Sequence, residues 1–383
     1  MDKLFDLEKI IELRHELHKY PELSDNEFLT SERIATFLSQ YKKAEIVRGI
    51  GGNGLVCIFK GQEDGPSVLF RCDMDALPID ETNNFEYKST EKGVSHKCGH
   101  DGHMAIVAGL ADLFSKSPPK KGQIILLFQP AEENGQGAYR VINDEEFKKI
   151  KVDYAFALHN LPGFPKGEII LRNGTFAAAS KGMIIKLTGK TSHAGEPENG
   201  NSPAIAMANI IKQLNVLPEK ERIFSDFILL TVIHARLGEV AFGTTPGYAE
   251  VMATLRTYSD KDMQVLTKES ESIAKINALE SDLSIEIEYV EEFPATVNDN
   301  EMVKIIEDAA KSGPTNFQFR KTPLRWSEDF AYFTQEFKGA IFGLGSGENH
   351  SQLHNPDYDF PDDIIEIGVE IFHNIYRKIV NFS

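Results

Sequence analysis

"GQIILLFQPAEENG", residues 122–135, decides what kind of fold this chain has. Five apolar residues in a row, Ile124–Phe128, leave no polar face, so the strand they form has to be covered on both sides. "SVLFRCDM" (67–74), "KVDYAFALHN" (151–160) and "GEIILRNG" (167–174) repeat the pattern, and the segment after His100 reads as an intervening helix. Covered strands alternating with helices predict an α/β layer architecture.

The pattern changes at "TFAAASKG" (175–182), whose small residues suit a hinge. Strand "GMIIKLTGK", helix "SPAIAMANIIKQL", strands "DFILLTVIHAR" and "YAEVMATLRTY", helix "KDMQVLTKESESIAKINAL" and strand "SIEIEYVEE" then follow in turn. This β-α-β-β-α-β order is the ferredoxin-like α+β pattern. It predicts a small domain over residues 178–292, inserted into a larger one made of 1–177 and 293–383. Ser202 before Pro203, and Ser259 with Asp262, read as helix starts. The remainder supplies a helix, the glycine-bearing "GAIFGLGSGENH" (339–350) and a closing helix, which rejoin the larger domain.

A formal net charge of −17 argues against nucleic acid or an anionic membrane surface as the main partner, since both require a concentrated basic patch. Cys57, Cys72 and Cys98 are few and widely spaced, which fits a reduced compartment better than a disulfide framework. The amphipathic start lacks the apolar run of a signal peptide, and no stretch approaches the ~20 apolar residues of a membrane span. These features predict a cytoplasmic protein.

Ligand-type residues cluster after the strands. "HKCGHDGHMAIVAGL" (96–110) carries His96, Cys98, His100, Asp101 and His103 ahead of a helix. Glu132 and Glu133 follow one apolar strand, His159 lies at the end of "YAFALH", and His354 lies in "LHNPDYDF". Loops at the carboxyl ends of strands form the ligand crevice of an open α/β sheet, so Glu132, Glu133 and His159 are able to converge there. A thiolate, imidazoles and carboxylates together suit zinc, manganese or nickel, whereas calcium and magnesium demand oxygen ligands. Cys98, His100, Glu133, His159 and His354 together would exceed the needs of one open tetrahedral site, which points to two divalent ions sharing a ligand. Cys98, the softest donor, is the candidate bridge. If the segment after the strand is extended, Glu132 points opposite to Glu133 and is available as a base.

The motifs "RHELHKYPELSDNEFLT" (14–30), "RCDMDALPI" (71–79), "HKCGHDGHMA" (96–105), "FQPAEENGQGA" (128–138), "ALHNLPG" (157–163), "TSHAGEP" (191–197), "ATLRTY" (253–258), "SEDFAYF" (327–333) and "LHNPDYDFPDD" (353–363) span nearly the whole chain. As a set they resemble the metal-dependent amidohydrolases that include aminoacylase, hippurate hydrolase, auxin-conjugate hydrolases and N-acetyldiaminopimelate deacetylase. The resemblance implies that Cys98, His100, Glu133, His159 and His354 are metal ligands and that Glu132 is the general base and acid. It implies a zinc-peptidase-like catalytic domain interrupted by a ferredoxin-like lid that pairs in a homodimer. It also implies that His193 contacts the oxyanion, commonly from the partner subunit, and that Arg256 grips the carboxylate of an N-acyl amino acid. Asp73, Asp75 and Asp101 match carboxylates that orient ligands, with buried structural hydrogen bonding as the alternative. His96 and His103 flank the ligand pair and match no metal ligand, with a supporting or capping role and no role as the alternatives, and Glu328 and Asp329 match a further site element.

The chain departs from the family in three places. Gly243 in "FGTTPG" replaces an expected polar donor, His234 stands where a small residue is usual, and Ser202 stands where aspartate is common. These departures point to an altered acyl or amine preference. A dipeptidase or carboxypeptidase on the same scaffold, and a non-catalytic metal-binding regulatory dimer, are the competing readings. Glu132 beside every matched ligand counts against the last.

Overall fold

Asp6 starts the first helix by accepting the Lys9 amide on its side chain, and the acidic group sits at the positive end of the helix dipole. The structure, a computed structural model, describes residues 4–219 and 223–382, so the first three residues of the amphipathic start read from the sequence lie outside the described residues. The chain runs through α1 (Leu7–Lys19), α2 (Phe28–Ser39), β1 (Glu45–Ile50), β2 (Gly54–Lys60), β3 (Glu63–Asp73), α3 (His100–Lys116), β4 (Lys121–Gln129), α4 (Gly137–Asn143), β5 (Tyr154–Pro162), β6 (Ile169–Leu171) and β7 (Gly174–Ala177). There follow β8 (Ala179–Thr188), β9 (Ser192–His193), α5 (Ala204–Val216), β10 (Ile228–Leu237), β11 (Thr244–Thr245), β12 (Tyr248–Thr257), α6 (Asp260–Glu280) and β13 (Ser284–Phe293). The chain closes with β14 (Thr296–Asn298), α7 (Asn300–Ala310), β15 (Phe317–Phe319), α8 (Ala331–Glu336), β16 (Lys338–Gly347) and α9 (Ile365–Phe382).

Two compact units result. The first comprises the residues up to Phe176, Thr296–Thr322 and those from Asp329 on; the second comprises Ala177–Ala295 and Pro323–Glu328. The C-terminal part thus does not rejoin the first unit without interruption, because Pro323–Glu328 belongs to the second. The Ala178 amide, for example, donates to the Leu324 carbonyl at 3.1 Å.

The first unit is built on a mixed sheet in the order β1-β2-β4-β3-β5-β16-β6-β15. Its centre, β4-β3-β5-β16, is parallel throughout, so the carboxyl ends of these four strands share one edge. Ile124–Phe128 are fully buried, as a strand covered on both faces requires. Helix α3 packs on β3 and between α1 and α9, and His100–Phe114 are buried along nearly its whole length. Strands β1, β2 and β16 are not among those read from the apolar runs of the sequence. The β1–β2 hairpin extends one side, and "GAIFGLGSG", read as a glycine-bearing segment, is β16 in the middle of the sheet.

The second unit has an antiparallel sheet in the order β10-β12-β8-β13 with α5 and α6, which is the ferredoxin-like arrangement. Ile185, Leu187, Ile210, Leu214, Val251, Leu255 and Leu266 form its separate core. Ser259 caps α6 by accepting the Asp262 amide. The start of α5 differs from expectation: Pro203 occupies the cap position, and the Ser202 hydroxyl reaches only the Ala204 amide at 3.4 Å.

Candidate metal centre

Each parallel strand delivers a polar group to the same edge of the first unit. β3 ends at Asp73, and the chain turns directly through Asp75; β4 leads to Glu132 and Glu133; β5 carries His159; the loop after β16 carries His354. Cys98 and His100 arrive with the N-terminus of α3, where Gly99 has φ +91°. A Cβ at Gly99 would lie within 3 Å of the Asn160 amide group, so only glycine permits this approach.

Cys98, His100 and His159 bring donor atoms within 4.8 Å of one another, as do Cys98, Glu133 and His354, and as do His100, Glu132 and Glu133. Cys98 Sγ is 3.5 Å from His159 Nε2. Glu133 Oε1 is 3.8 Å from His100 Nε2 and 3.9 Å from His354 Nε2. His100 Nδ1 donates to the Asp75 carbonyl and His159 Nδ1 to the Asn160 carbonyl, each at 2.9 Å. A carbonyl can only accept, so both rings carry a proton on Nδ1, which leaves Nε2 as the nitrogen that would face a cation. His100 Nε2 and Glu133 Oε1 are buried without a hydrogen-bond partner among the described residues. Buried polar atoms are rarely left so, and these two point at one another's neighbourhood as cation ligands would.

The electrostatics agree. Burial pushes the His100 imidazole down, but Asp73, Asp75 and Glu133 outweigh it and raise its pKa to about 10. Burial raises the Cys98 thiol well above its usual range, and Glu133, Glu132 and Asp73 push it further. Burial likewise raises Glu133. The cluster thus holds protons in place of positive charge, and the same field favours a divalent cation.

Glu132 and Glu133 are not on an extended segment. They lie in a turn after β4, closed by the Gly135 amide on the Glu132 carbonyl at 2.8 Å, so strand alternation is not what separates their directions. Glu133 is fixed by its own amide, which donates to Asp75 Oδ2 at 2.9 Å. Glu132 is buried, with Oε1 accepting the Asp329 amide at 3.4 Å.

Among the supporting carboxylates, Asp75 orients His100 and Glu133, whereas Asp73 accepts from Arg71 at 2.8 Å and from His103 Nδ1 at 2.6 Å. His103 therefore bridges Asp73 to Asn160. Asp101 does not touch the donor cluster. It accepts from His18 Nδ1 at 2.9 Å and from Arg14 at 3.2 Å, in a buried network that ties α1 to α3. His96 caps nothing: it is fully buried, and neither ring nitrogen has a hydrogen-bond partner among the described residues. Asp329 accepts from Arg71, Gln129 and the Ala138 amide at 2.7–2.8 Å, bracing the Glu132 turn, while Glu328 belongs to the second unit. Arg71, Gln129 and Asn160 were not singled out from the sequence, although they sit inside the motifs "RCDMDALPI", "FQPAEENGQGA" and "ALHNLPG".

In the second unit, His193 is an exposed residue of β9, paired with Thr244 of β11, and its Nδ1 accepts the Gly195 amide at 3.1 Å. The Gly243 carbonyl accepts the Ala194 amide at 3.0 Å, so Gly243 lies directly beside His193. Arg256 donates to the Arg325 carbonyl at 3.1 Å and to Ser327 Oγ at 3.2 Å. His234 stands exposed at a bulge of the edge strand β10.

Residues 69–378 match the peptidase family M20/M25/M40. The chain is 32% identical, over 98% of its own length and 98% of the relative's, to the hippurate hydrolase of Campylobacter jejuni. It superposes with a TM-score of 0.82 on the Bacillus subtilis YXEP protein, described as a dinuclear metal binding peptidase, at 25% identity over 98% and 99% of the two chains. An aminobenzoyl-glutamate utilization protein from Klebsiella pneumoniae shares the fold, with a TM-score of 0.74 and 19% identity over 96% and 95% of the two chains. With that match over most of its length, the chain belongs to the peptidase family M20/M25/M40 and is a metal-dependent hydrolase of the amidohydrolase type.

Proposed function

We propose that this enzyme hydrolyses the amide bond of N-acyl amino acids, using two divalent cations held by Cys98, His100, Glu133, His159 and His354. The observation that carries the reading is the pair of three-residue donor sets that share Cys98. Cys98, His100 and His159 would hold one ion and Cys98, Glu133 and His354 the other, which makes Cys98 the residue common to both sets. The mixed sulfur, nitrogen and oxygen donors favour zinc, manganese or nickel. The hippurate hydrolase relative supports an acyl amino acid as substrate, and the YXEP protein supports a dinuclear site.

Bound there, the cations supply Lewis acidity to the amide carbonyl and acidify water. Glu132, buried at the edge of the cluster, takes the proton of the attacking water and returns it to the departing amine. His193, from its own chain or from a partner, donates to the tetrahedral oxyanion. Arg256 binds the substrate carboxylate with its planar fork, exchanging its present contacts for the ligand. Homodimerisation through the second unit is supported by the open edge of β10 and by the exposed Ile233, Val240 and Phe242. No helix among the described residues is long and apolar enough to cross a membrane. A cytoplasmic location is part of the same proposal.

A panel of N-acetyl and N-benzoyl amino acids and dipeptides, assayed with manganese or zinc, tests the substrate class. Hydrolysis of the acyl amino acids in preference to the dipeptides is expected. The reverse preference would make the enzyme a dipeptidase on the same scaffold.

A further inference from the structure

The segment "PELSDNEFLT", residues 21–30, has no part in the chemistry above, yet its side chains reach the turn that carries Glu132. Glu27 occupies the N-cap position of α2 but makes no side-chain cap bond. Its carboxylate is fully buried and turned the other way. Oε1 accepts the Ala131 amide at 2.7 Å, and Oε2 accepts Asn53 Nδ2 at 3.0 Å.

Ala131 has φ +52°, a left-handed conformation that residues with a Cβ rarely adopt. It immediately precedes Glu132, and its carbonyl accepts the Gly137 amide at 2.9 Å. Removing the Glu27 carboxylate would leave a buried N–H without an acceptor beside a backbone that already disfavours its own geometry. A relaxed Ala131 rotates the next residue, and that residue is Glu132. Three residues earlier, Ser24 Oγ donates at 2.7 Å to the Asp75 oxygen that holds the Glu133 amide. One short segment therefore braces the turn on both sides.

We propose that Glu27 is a positioning residue whose carboxylate, by holding the Ala131 amide, keeps residue 131 left-handed and so directs the Glu132 side chain toward the donor cluster. The proposal rests on the reading of Glu132 as the proton-transfer residue. The motif from which Glu27 comes thereby acquires a function through a backbone amide rather than through contact with substrate.

The test uses the full-length, metal-loaded enzyme and the best substrate of the N-acyl amino acid panel. Glu27→Ala should lower kcat by ~10- to 100-fold, the range for removing such a support, with KM and metal content unchanged. Glu27→Gln should keep most of kcat, because its amide oxygen still accepts the Ala131 N–H. Adding Ala131→Gly to Glu27→Ala should restore part of the loss, since glycine adopts positive φ without strain. Amide hydrogen exchange in the peptide 129–137 should speed up in Glu27→Ala and stay slow in Glu27→Gln. If Glu27→Ala does not fold, Glu27→Asp, which keeps the charge but shortens the arm, carries the same expectations. A wild-type kcat in Glu27→Ala, a loss of metal with the activity, unchanged exchange, or no relief from Ala131→Gly would each overturn the proposal. The two readings fail separately. An active Glu132→Gln refutes the role of Glu132, whereas an unaffected Glu27→Ala beside an inactive Glu132→Gln refutes only that of Glu27.

Discussion

Cys98 Sγ and His159 Nε2 stand 3.5 Å apart, although one arrives on the loop before α3 and the other on β5. The parallel order of β3, β5 and β16 makes this meeting a consequence of topology, because side chains at the carboxyl ends of neighbouring parallel strands share one edge. Removal of the thiol should therefore cost metal before it costs fold. In Cys98→Ser, metal bound per chain should fall below that of the wild type under equal loading, and the stabilisation of Tm by added metal should shrink accordingly. Wild-type metal content in that variant would remove Cys98 from the ligand set.

Glu132 and Glu133 are adjacent yet held by different partners, Asp329 and Asp75. Glu132→Gln should keep its metal and lose activity by ~10²- to 10⁴-fold, the range for removing a positioned acid–base group. Elemental analysis and steady-state rates on one sample check both halves. Metal loss in Glu132→Gln would exchange the roles of the two glutamates.

His193 and Arg256 lie in the second unit and should affect catalysis without affecting metal. His193→Ala is expected to lower kcat, while Arg256→Ala is expected chiefly to raise KM if the guanidinium holds the ground-state carboxylate. If His193 serves a partner chain, mixing inactive His193→Ala with inactive Glu132→Gln should regenerate activity. A mixture that exchanges subunits and shows no rescue places His193 in its own chain's site.

The buried network of Arg14, His18, Asp101 and Glu81 makes a pH prediction. Burial would depress His18, but the charge of Asp101 and the hydrogen bonds that the ring donates to Asp101 and Glu81 raise its pKa to about 9. A folded value above the unfolded 6.5 means that the protonated ring stabilises the fold fully below pH 6.5 and that this contribution is lost as pH rises through 9. The interval corresponds to ~3 kcal/mol for this buried group. The difference in unfolding free energy between wild type and His18→Gln should thus be largest near pH 6 and shrink by pH 9.5. A difference that grows with pH would contradict the assignment.

How much of this was legible in the sequence depended on the kind of interaction. β3, β4 and β5 announce themselves because strands covered on both faces are continuously apolar. β16 does not, because the backbone beside it leaves no room for a Cβ: one at Gly345 would lie 2.0 Å from the Pro165 carbonyl oxygen and one at Gly339 2.5 Å from that of Ala155, so close packing removes the very residues that mark a strand. The five proposed ligands were legible as rare residue types placed after strands. Arg71, Asn160 and Glu27 were not, because most of their partners lie far along the chain. The turn geometry of Glu132 was misread for a related reason: a left-handed alanine leaves no signature in composition, and only the Glu27 carboxylate that holds it shows why it is there.

The most direct test of the account is a metal titration of activity. Enzyme stripped with a chelator and supplied with manganese or zinc should regain hydrolysis of an N-acyl amino acid in proportion to metal added, with a break at two equivalents per chain. Hydrolysis that is unaffected by stripping, or fully metal-restored protein that cleaves no N-acyl amino acid, would contradict it.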